Sequence, residues 1–390
     1  MKKHLRFYVY GLPTGGTTIA IIRLANVLIE SFNVSIFSAW EPDKASVYKM
    51  LDKRVKIETF HPNVEINQKY PFGIRAIRWQ FLRFFGRLAL KNKGMFKLAH
   101  RFLEKADWEI GFTETEDVLR FLAWSHLKKE QKKLVIHTDF YQNAEMNHIC
   151  NDIQHTIAEV VGETVAVSDY ITKTIHSKVP NANVETCYNL VDFDNLIEQS
   201  VEYGVTRIDN APHIICVGRF SPVKGHIRLL EAHMELLKRD CLHHLFFIGH
   251  GGADEKRVAD FIENNMLSNT VHLTGYKDNP YPYFKMSDGL IQASFTEGLP
   301  TTLIEGLAFH LPMAATAVGG TKEILGISDE FGVVVENNSE GVEFALEKLV
   351  TDKKWREAMR DKNADKHMKQ FYNPQKWINL FTESGATNND

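Results

Sequence analysis

Short apolar runs, each closed by glycine, serine or aspartate, recur along this chain and alternate with stretches whose apolar positions return every three or four residues. The first pattern is that of a strand buried on both faces, the second that of an amphipathic helix. Their alternation through both halves predicts α/β architecture: two Rossmann-like, doubly wound parallel sheets. Strands are expected near 5–10, 33–38, 55–60, 108–112, 133–137, 164–167 and 184–188 in the first half. In the second half they are expected near 213–217, 244–248, 270–274, 288–293, 312–316 and 332–335. The polar stretch 197–210 shows no periodicity and is expected to be a linker between domains over 1–196 and 211–372. Trp377 and Phe381, one turn apart, predict a closing helix over 373–384.

Composition changes this picture little. A chain of 390 residues exceeds the size at which a single core stops growing, which agrees with two domains. With 44% apolar and 24% charged residues it is globular rather than disordered. No window of 18 apolar residues exists, so no transmembrane helix is expected. The opening Met1–Tyr10 lacks the unbroken apolar stretch of a leader, and with Arg6 and the turn from Gly11 it reads as a first strand and loop. Cys150, Cys187, Cys216 and Cys241 are scattered, which favours a reducing cytosol over a disulfide frame or a zinc site.

Candidate chemistry gathers where strands end. The apolar strand that reaches Ser294 runs into Phe-Thr-Glu297-Gly-Leu299-Pro-Thr301-Thr302-Leu-Ile-Glu305. Glu297 therefore falls on a strand-to-helix loop and Glu305 about one turn into the helix. Between them the N–H groups near Thr301 and Thr302 would be free, a ready anion site at the positive end of a helix. Alone, two glutamates at this spacing are ordinary surface acids. Upstream, however, Ile214-Ile-Cys-Val-Gly218-Arg219-Phe-Ser-Pro-Val-Lys224-Gly225 is a strand, a glycine turn with two cations, and a helix starting near Lys224. In an open α/β sheet that puts Arg219 and Lys224 on the rim that carries Glu297. A planar donor fork and a mobile ammonium suit a diphosphate. A third strand ends in Gly249-His-Gly-Gly, where backbone can approach a ligand. The ligand class this set fits bears both hydroxyls and phosphates, as a nucleotide sugar does.

Residues 212–325 resemble the nucleotide-sugar domain of the family 4 retaining glycosyltransferases, which have the GT-B fold. The pieces that match are Val217-Gly-Arg219, Lys224-Gly225, Ile248-Gly249-His-Gly251, Leu273-Thr-Gly275-Tyr276, Phe284-Lys-Met-Ser-Asp288, the Glu297/Glu305 loop and Ala315-Thr-Ala-Val-Gly319-Gly320-Thr-Lys-Glu323-Ile324. The resemblance implies that Arg219 and Lys224 bind the diphosphate, Glu305 the ribose hydroxyls and Glu297 the hydroxyls of the donor sugar. It extends the nucleotide-sugar contacts to Gly218, Gly249, Tyr276, Leu299, Thr301 and Thr302. His250 stands where the family often has an acid, and His310 where a small residue is common. In the resembled fold the closing helix over 373–384 packs back on the N-terminal domain.

The N-terminal half carries weaker signals. Its first strand ends in Gly11-Leu-Pro-Thr-Gly15-Gly16-Thr17-Thr18 and opens a helix, a turn that suits close approach to phosphate or sugar and equally a plain tight turn. It resembles the glycine loop of the family's acceptor domain, with Thr17-Thr18 in place of the acidic pair of many members. Gly15 and Gly16 are expected to touch the nucleotide sugar. His137 closes the strand Leu134-Val-Ile. On its own it is most simply a structural histidine; it resembles the family's cleft histidine, which contacts the donor sugar.

Residues 70–103 hold eight Lys or Arg and no acid. At 100° per residue Arg83, Arg87 and Lys91 lie with other cations on one side, while Phe84, Phe85, Phe96 and other apolar residues cover the opposite arc. Such a face lies on anionic lipid, or else belongs to an ordinary domain helix with solvated cations. Membrane contact is expected through Arg83, Arg87, Lys91, Phe84 and Phe85. Nucleic acid is a poorer partner for a chain with net charge −3 and no binding motif.

The expectation is a retaining GT-B enzyme with its active site in the cleft between two domains. It moves a hexosyl or N-acetylhexosaminyl group from a nucleotide sugar to an acceptor hydroxyl. The Glu-Gly-Leu-Pro loop resembles members that use UDP-sugars, and the acceptor is expected to be lipid-linked, in synthesis of a surface polysaccharide at the inner face of the cytoplasmic membrane. No cofactor is expected. No Asp-x-Asp stands at a strand end to hold a metal, whose work the cations would do. The rival readings are a phosphorylase or sugar-nucleotide epimerase of the same fold, and a catalytically silent binder of nucleotide sugars.

Overall fold

The computed structural model describes residues 2–12, 15–38, 47–59, 91–100 and 103–382. They divide into two compact units, one of Met1–Val167, Ile171–Leu190 and Asn373–Asp390, the other of Ser168–Tyr170 and Val191–Tyr372.

The first unit is built on seven strands: β1 (His4–Val9), β2 (Asn33–Ser38), β3 (Lys56–Glu58), β4 (Trp108–Gly111), β5 (Lys132–Ile136), β6 (Glu163–Ala166) and β7 (Val184–Thr186). They pair in parallel in the order β3-β2-β1-β4-β5-β6-β7. The second unit has six: β8 (His213–Val217), β9 (His244–Ile248), β10 (Val271–Gly275), β11 (Gly289–Gln292), β12 (Met313–Thr316) and β13 (Val333–Val335). Their order is β10-β9-β8-β11-β12-β13, again all parallel. Each strand lies within two residues of its expected place, because a strand covered on both faces is apolar along its whole length. The order reverses between β1 and β4 in one sheet and between β8 and β11 in the other. Ligands of open α/β sheets bind outside the carboxyl ends at such a switch point.

Two cores hold the sheets. In the second unit Ile214, Leu229, Leu245, Phe247, Leu346 and Leu349 are fully buried in one cluster. In the first, Arg6 at the centre of β1 is also fully buried, and meets Glu58 at 2.7 Å and Glu109 at 3.4 Å. The closing helix Pro374–Thr382 belongs to the first unit. Its Trp377 donates Nε1–H to the Tyr188 carbonyl at 2.9 Å, and Phe381 lies edge-on to Phe32 and Trp108.

The division between units falls at Val191, ahead of the linker expected over 197–210. Phe193–Gln199 is a helix there, because Asp192 caps it by accepting the Asn195 N–H and Leu196 is buried. The helix expected near Lys224 begins at His226; Pro222–Lys224 forms a 3-10 turn and Gly225 takes φ 67°. Most of 70–103 lies outside the described residues, Arg83, Arg87, Phe84 and Phe85 included. Phe96, on the apolar arc, is buried, stacked on Phe121 at 5.2 Å with Trp124 beside it, as in an ordinary domain helix.

Candidate functional site

The loops after β8 and β11 flank the switch point of the second sheet, and the side chains singled out in the sequence meet there. Lys224 Nζ lies 2.6 Å from Glu297 Oε1. The same oxygen accepts from Gln292 Nε2 and from Ser294 Oγ, each at 2.6 Å. One oxygen of Glu297 is thus held by an ammonium, an amide and a hydroxyl, while Oε2 has no hydrogen bond among the described residues. A charged acceptor with charge-assisted bonds on one side only is fixed in orientation and open on the other. Arg219 is exposed, and its guanidinium has no hydrogen bond or ion pair among the described residues. It remains available to an anion.

The helix carrying the second acid spans Thr301–Ala308 and follows Pro300. The N–H groups of Thr301 and Thr302 have no acceptor among the described residues, as the first turn of a helix predicts. Leu299 is buried at the turn, and Glu305 is buried on the helix, with Tyr281 OH donating to its Oε1 at 3.2 Å. Gly218 and Gly249 let two strand ends touch. Gly218 N–H donates to the Ile248 carbonyl at 3.0 Å, and a Cβ on Gly249 would stand 2.1 Å from the Gly218 oxygen. Beyond them His250 and Tyr276 form an exposed edge-to-face pair 6.3 Å apart.

The first sheet brings a different set to its own carboxyl ends. Gly15 closes the loop after β1, and the helix Gly16–Leu28 starts on it, with the Ile19 N–H bonded to the Gly15 carbonyl at 3.1 Å. After β5, His137 packs its ring 4.6 Å from that of Phe112, and its Nε2 is buried without a hydrogen-bond partner. That burial lowers its pKa to about 3, so the ring is neutral at physiological pH. The backbone N–H groups of His137 and Thr138 both donate to Glu114 Oε1, the second at 2.9 Å. Glu114 is buried, and burial outweighs those two bonds and raises its pKa to about 7.

Sequence reasoning missed Glu114, Gln292, Ser294 and Arg228. A period-two signal marks Gln292 and Ser294: they are polar positions on one face of a strand otherwise apolar. Among the described residues one group has metal-ligand chemistry: Asp209, His213 and His244, at the opposite, amino ends of β8 and β9. Their atoms are already used. His213 bonds Ala211 O and Ile208 N, and His244 bonds His272 and Asp209 at 3.0 and 3.2 Å. This is a complete hydrogen-bonded network.

Comparison with known proteins agrees with this geometry. The chain is similar to the Anabaena protein Alr3699/HepE, solved in complex with UDP and glucose, with a TM-score of 0.73 at 15% identity, covering 98% of this chain and 100% of that one. The fold is GT-B. Residues 204–366 match the model of the glycosyl transferases group 1 family, in agreement with the family 4 resemblance. It is 33% identical over 180 residues, 46% of this chain and 47% of the relative, to the Campylobacter jejuni N-acetylgalactosamine-N,N'-diacetylbacillosaminyl-diphospho-undecaprenol 4-alpha-N-acetylgalactosaminyltransferase. A second C. jejuni protein, the GalNAc-alpha-(1->4)-GalNAc-alpha-(1->3)-diNAcBac-PP-undecaprenol alpha-1,4-N-acetyl-D-galactosaminyltransferase, is 22% identical over 388 residues, 97% of this chain and 98% of that relative. In the first alignments the chain spans about half the length of the curated relatives, or less.

Proposed function

We propose that the protein transfers a hexosyl group, most simply an N-acetylhexosaminyl group from a UDP-sugar, to a hydroxyl of a lipid-linked glycan, with retention at the anomeric carbon. The observation that carries this reading is the rim of the second sheet: Glu297 held by one oxygen, Lys224 upon it, Arg219 unpaired and two free N–H groups at Thr301 and Thr302. The names of both Campylobacter relatives, which carry undecaprenol-linked glycans, support the acceptor class.

As the anomeric bond lengthens, negative charge grows on the leaving diphosphate and positive charge on the sugar ring. Arg219, Lys224 and the helix start meet the first; preorganised donors of this kind are commonly the largest catalytic contribution. Glu297 turns its open Oε2 to the sugar hydroxyls and sits close enough in charge to favour the oxocarbenium-like ring. Glu305 takes the ribose hydroxyls. Attack by the acceptor hydroxyl on the face that the diphosphate leaves, with a phosphate oxygen receiving the proton, retains configuration without an enzymic nucleophile. With those cations in place the reaction is metal-independent.

An acceptor of this kind places the protein at the inner face of the cytoplasmic membrane. No helix among the described residues is long and apolar enough to cross a bilayer, so contact would run through the basic stretch 70–103 on anionic lipid. Co-sedimentation with anionic but not neutral vesicles, weakening as salt rises, tests that contact.

A screen of UDP-linked hexoses and N-acetylhexosamines, with released UDP as readout, tests the reaction. UDP release from at least one donor, persisting in excess EDTA, is expected. Failure with every donor sinks the assignment, and loss on chelation that Mg²⁺ or Mn²⁺ restores sinks the metal-independent mechanism.

A further inference from the structure

Arg228 lies in the first turn of the helix His226–Lys238 and is 6% exposed. A surface helix normally lets such an arginine reach solvent. Here the guanidinium turns under the loop that follows β11. Nε and Nη2 donate to the Ala293 carbonyl at 2.9 and 2.6 Å, and Nη2 also to the Ser294 carbonyl and Asn337 Oδ1, both at 2.8 Å. Its Cζ sits over the Phe295 ring, 3.8 Å from the centroid. No carboxylate pairs with it among the described residues. Arg6 in the first sheet, by contrast, meets two carboxylates. A buried cation without a counter-ion is costly, and the bonds from Nε and Nη2 offset part of that cost.

Neighbours tie the same loop from other sides. Thr316 Oγ1 donates to the Ser294 carbonyl at 2.6 Å, Phe295 N–H to the Val223 carbonyl at 2.7 Å, and Asn337 Nδ2 to the Phe295 carbonyl at 3.0 Å. Gly225 admits the contact, since a Cβ there would stand 2.0 Å from the Ala293 oxygen. The backbone so fixed is the one that aims Ser294 Oγ at Glu297 Oε1.

We propose that Arg228 is a positioning residue: it latches the carbonyls of Ala293 and Ser294 so that Ser294, and through it Glu297, are held in one orientation for the sugar-bearing end of the donor. This rests on the reading of Glu297 as the sugar contact. It assigns Arg228 no contact with substrate. A planar fork serves two adjacent carbonyls at once and an ammonium does not, so Arg228→Lys retains charge and loses the latch in part.

The test uses the full chain carrying Arg228→Met, Arg228→Lys, Glu297→Ala and the Arg228→Met/Glu297→Ala pair. Arg228→Met should lower kcat for donor turnover about 10²-fold while UDP affinity stays within about threefold, with Arg228→Lys between it and the wild type. On the Glu297→Ala background the same change should cost less than about threefold, because the group being positioned is gone. Additive losses, or UDP affinity falling in step with kcat, would overturn the proposal. Hydrogen exchange at the Phe295 amide gives an independent readout: it should speed in Arg228→Met and Arg228→Lys while the β9 amides keep their rates. Unchanged exchange at Phe295 overturns the latch even where no donor is turned over. If the wild type turns over no donor and Phe295 exchange does speed, the functional reading has failed and the latch stands. Should Arg228→Met not fold, Arg228→Lys and Asn337→Ala carry the same exchange measurement.

Discussion

The carboxyl-end rims of the two sheets are built on different terms. On the second, Lys224, Gln292 and Ser294 converge on one oxygen of Glu297, and Arg228 and Thr316 hold the backbone beneath, with Gln292 Oε1 and His226 Nδ1 the buried atoms left over among the described residues. On the first, Thr113 Oγ1, Thr115 Oγ1, His137 Nε2 and Tyr141 OH are buried with no hydrogen-bond partner among the described residues. Buried polar atoms are ordinarily paired, and exceptions ask for an explanation. A rim arranged in advance suits charge that develops in a transition state; the first rim carries three hydroxyls and an imidazole nitrogen still unpaired among the described residues.

The largest expected effect breaks the wired rim. Lys224→Ala or Arg219→Ala should lower turnover by about 10²–10³-fold, since in the proposed reaction both meet charge that grows on the leaving group. Far-UV circular dichroism should not change. Glu297→Gln should act chiefly on kcat, and Glu305→Gln chiefly on nucleotide affinity, because a ribose contact binds ground and transition states alike. Near-native turnover in Lys224→Ala, or two glutamate variants that differ only in UDP affinity, would remove the distinction.

The next effect probes the open rim through pH. Glu114 has a folded pKa of about 7 against an ordinary 4.5. The native state then binds the proton more tightly than the unfolded chain does, so this group costs nothing below pH 4.5. Its cost grows as pH rises from there to 7 and is constant above. By the size of the shift it is on the order of 3 kcal/mol. Glu114→Gln, which keeps an acceptor for the His137 and Thr138 N–H groups, should therefore raise Tm more at pH 8 than at pH 5. A gain independent of pH would mean that Glu114 is ionised in a well-solvated place.

The sequence made the two rims unequally legible. All the strands could be read because the alternation of buried runs and glycine turns survives without any knowledge of tertiary contacts. Arg219, Lys224, Glu297 and Glu305 were visible because strand ends of one sheet share a rim. Arg228 was hidden: an arginine in a helix sequence Ile-Arg-Leu-Leu reads as solvated, and only the close approach at Gly225 puts it under Ala293. Glu114 was hidden for a similar reason. Thr-Glu-Thr-Glu-Asp at the start of a helix reads as an exposed acidic first turn, and Glu116 is indeed exposed. What buries Glu114 is the neighbouring loop after β5, 23 residues further along the chain. Periodicity gives the face a residue takes and not the depth at which a neighbour covers it.

The smallest effect compares two threonines directly. Thr316 donates its hydroxyl to the Ser294 carbonyl on the wired rim, and Thr113 has a buried hydroxyl without a partner on the open one. Valine replaces either with nearly the same shape. Thr316→Val removes a made hydrogen bond and should destabilise by about 1–2 kcal/mol. Thr113→Val removes only a polar atom that burial penalises, so stability should hold or rise by up to about 1 kcal/mol. Chemical denaturation of both variants, without substrate, gives the two numbers. Equal losses would show that Thr113 has a partner in the folded protein and that the first rim is as complete as the second. A stable Thr113→Val that loses affinity for acceptor while keeping its affinity for UDP would instead assign the unpaired hydroxyl to the acceptor.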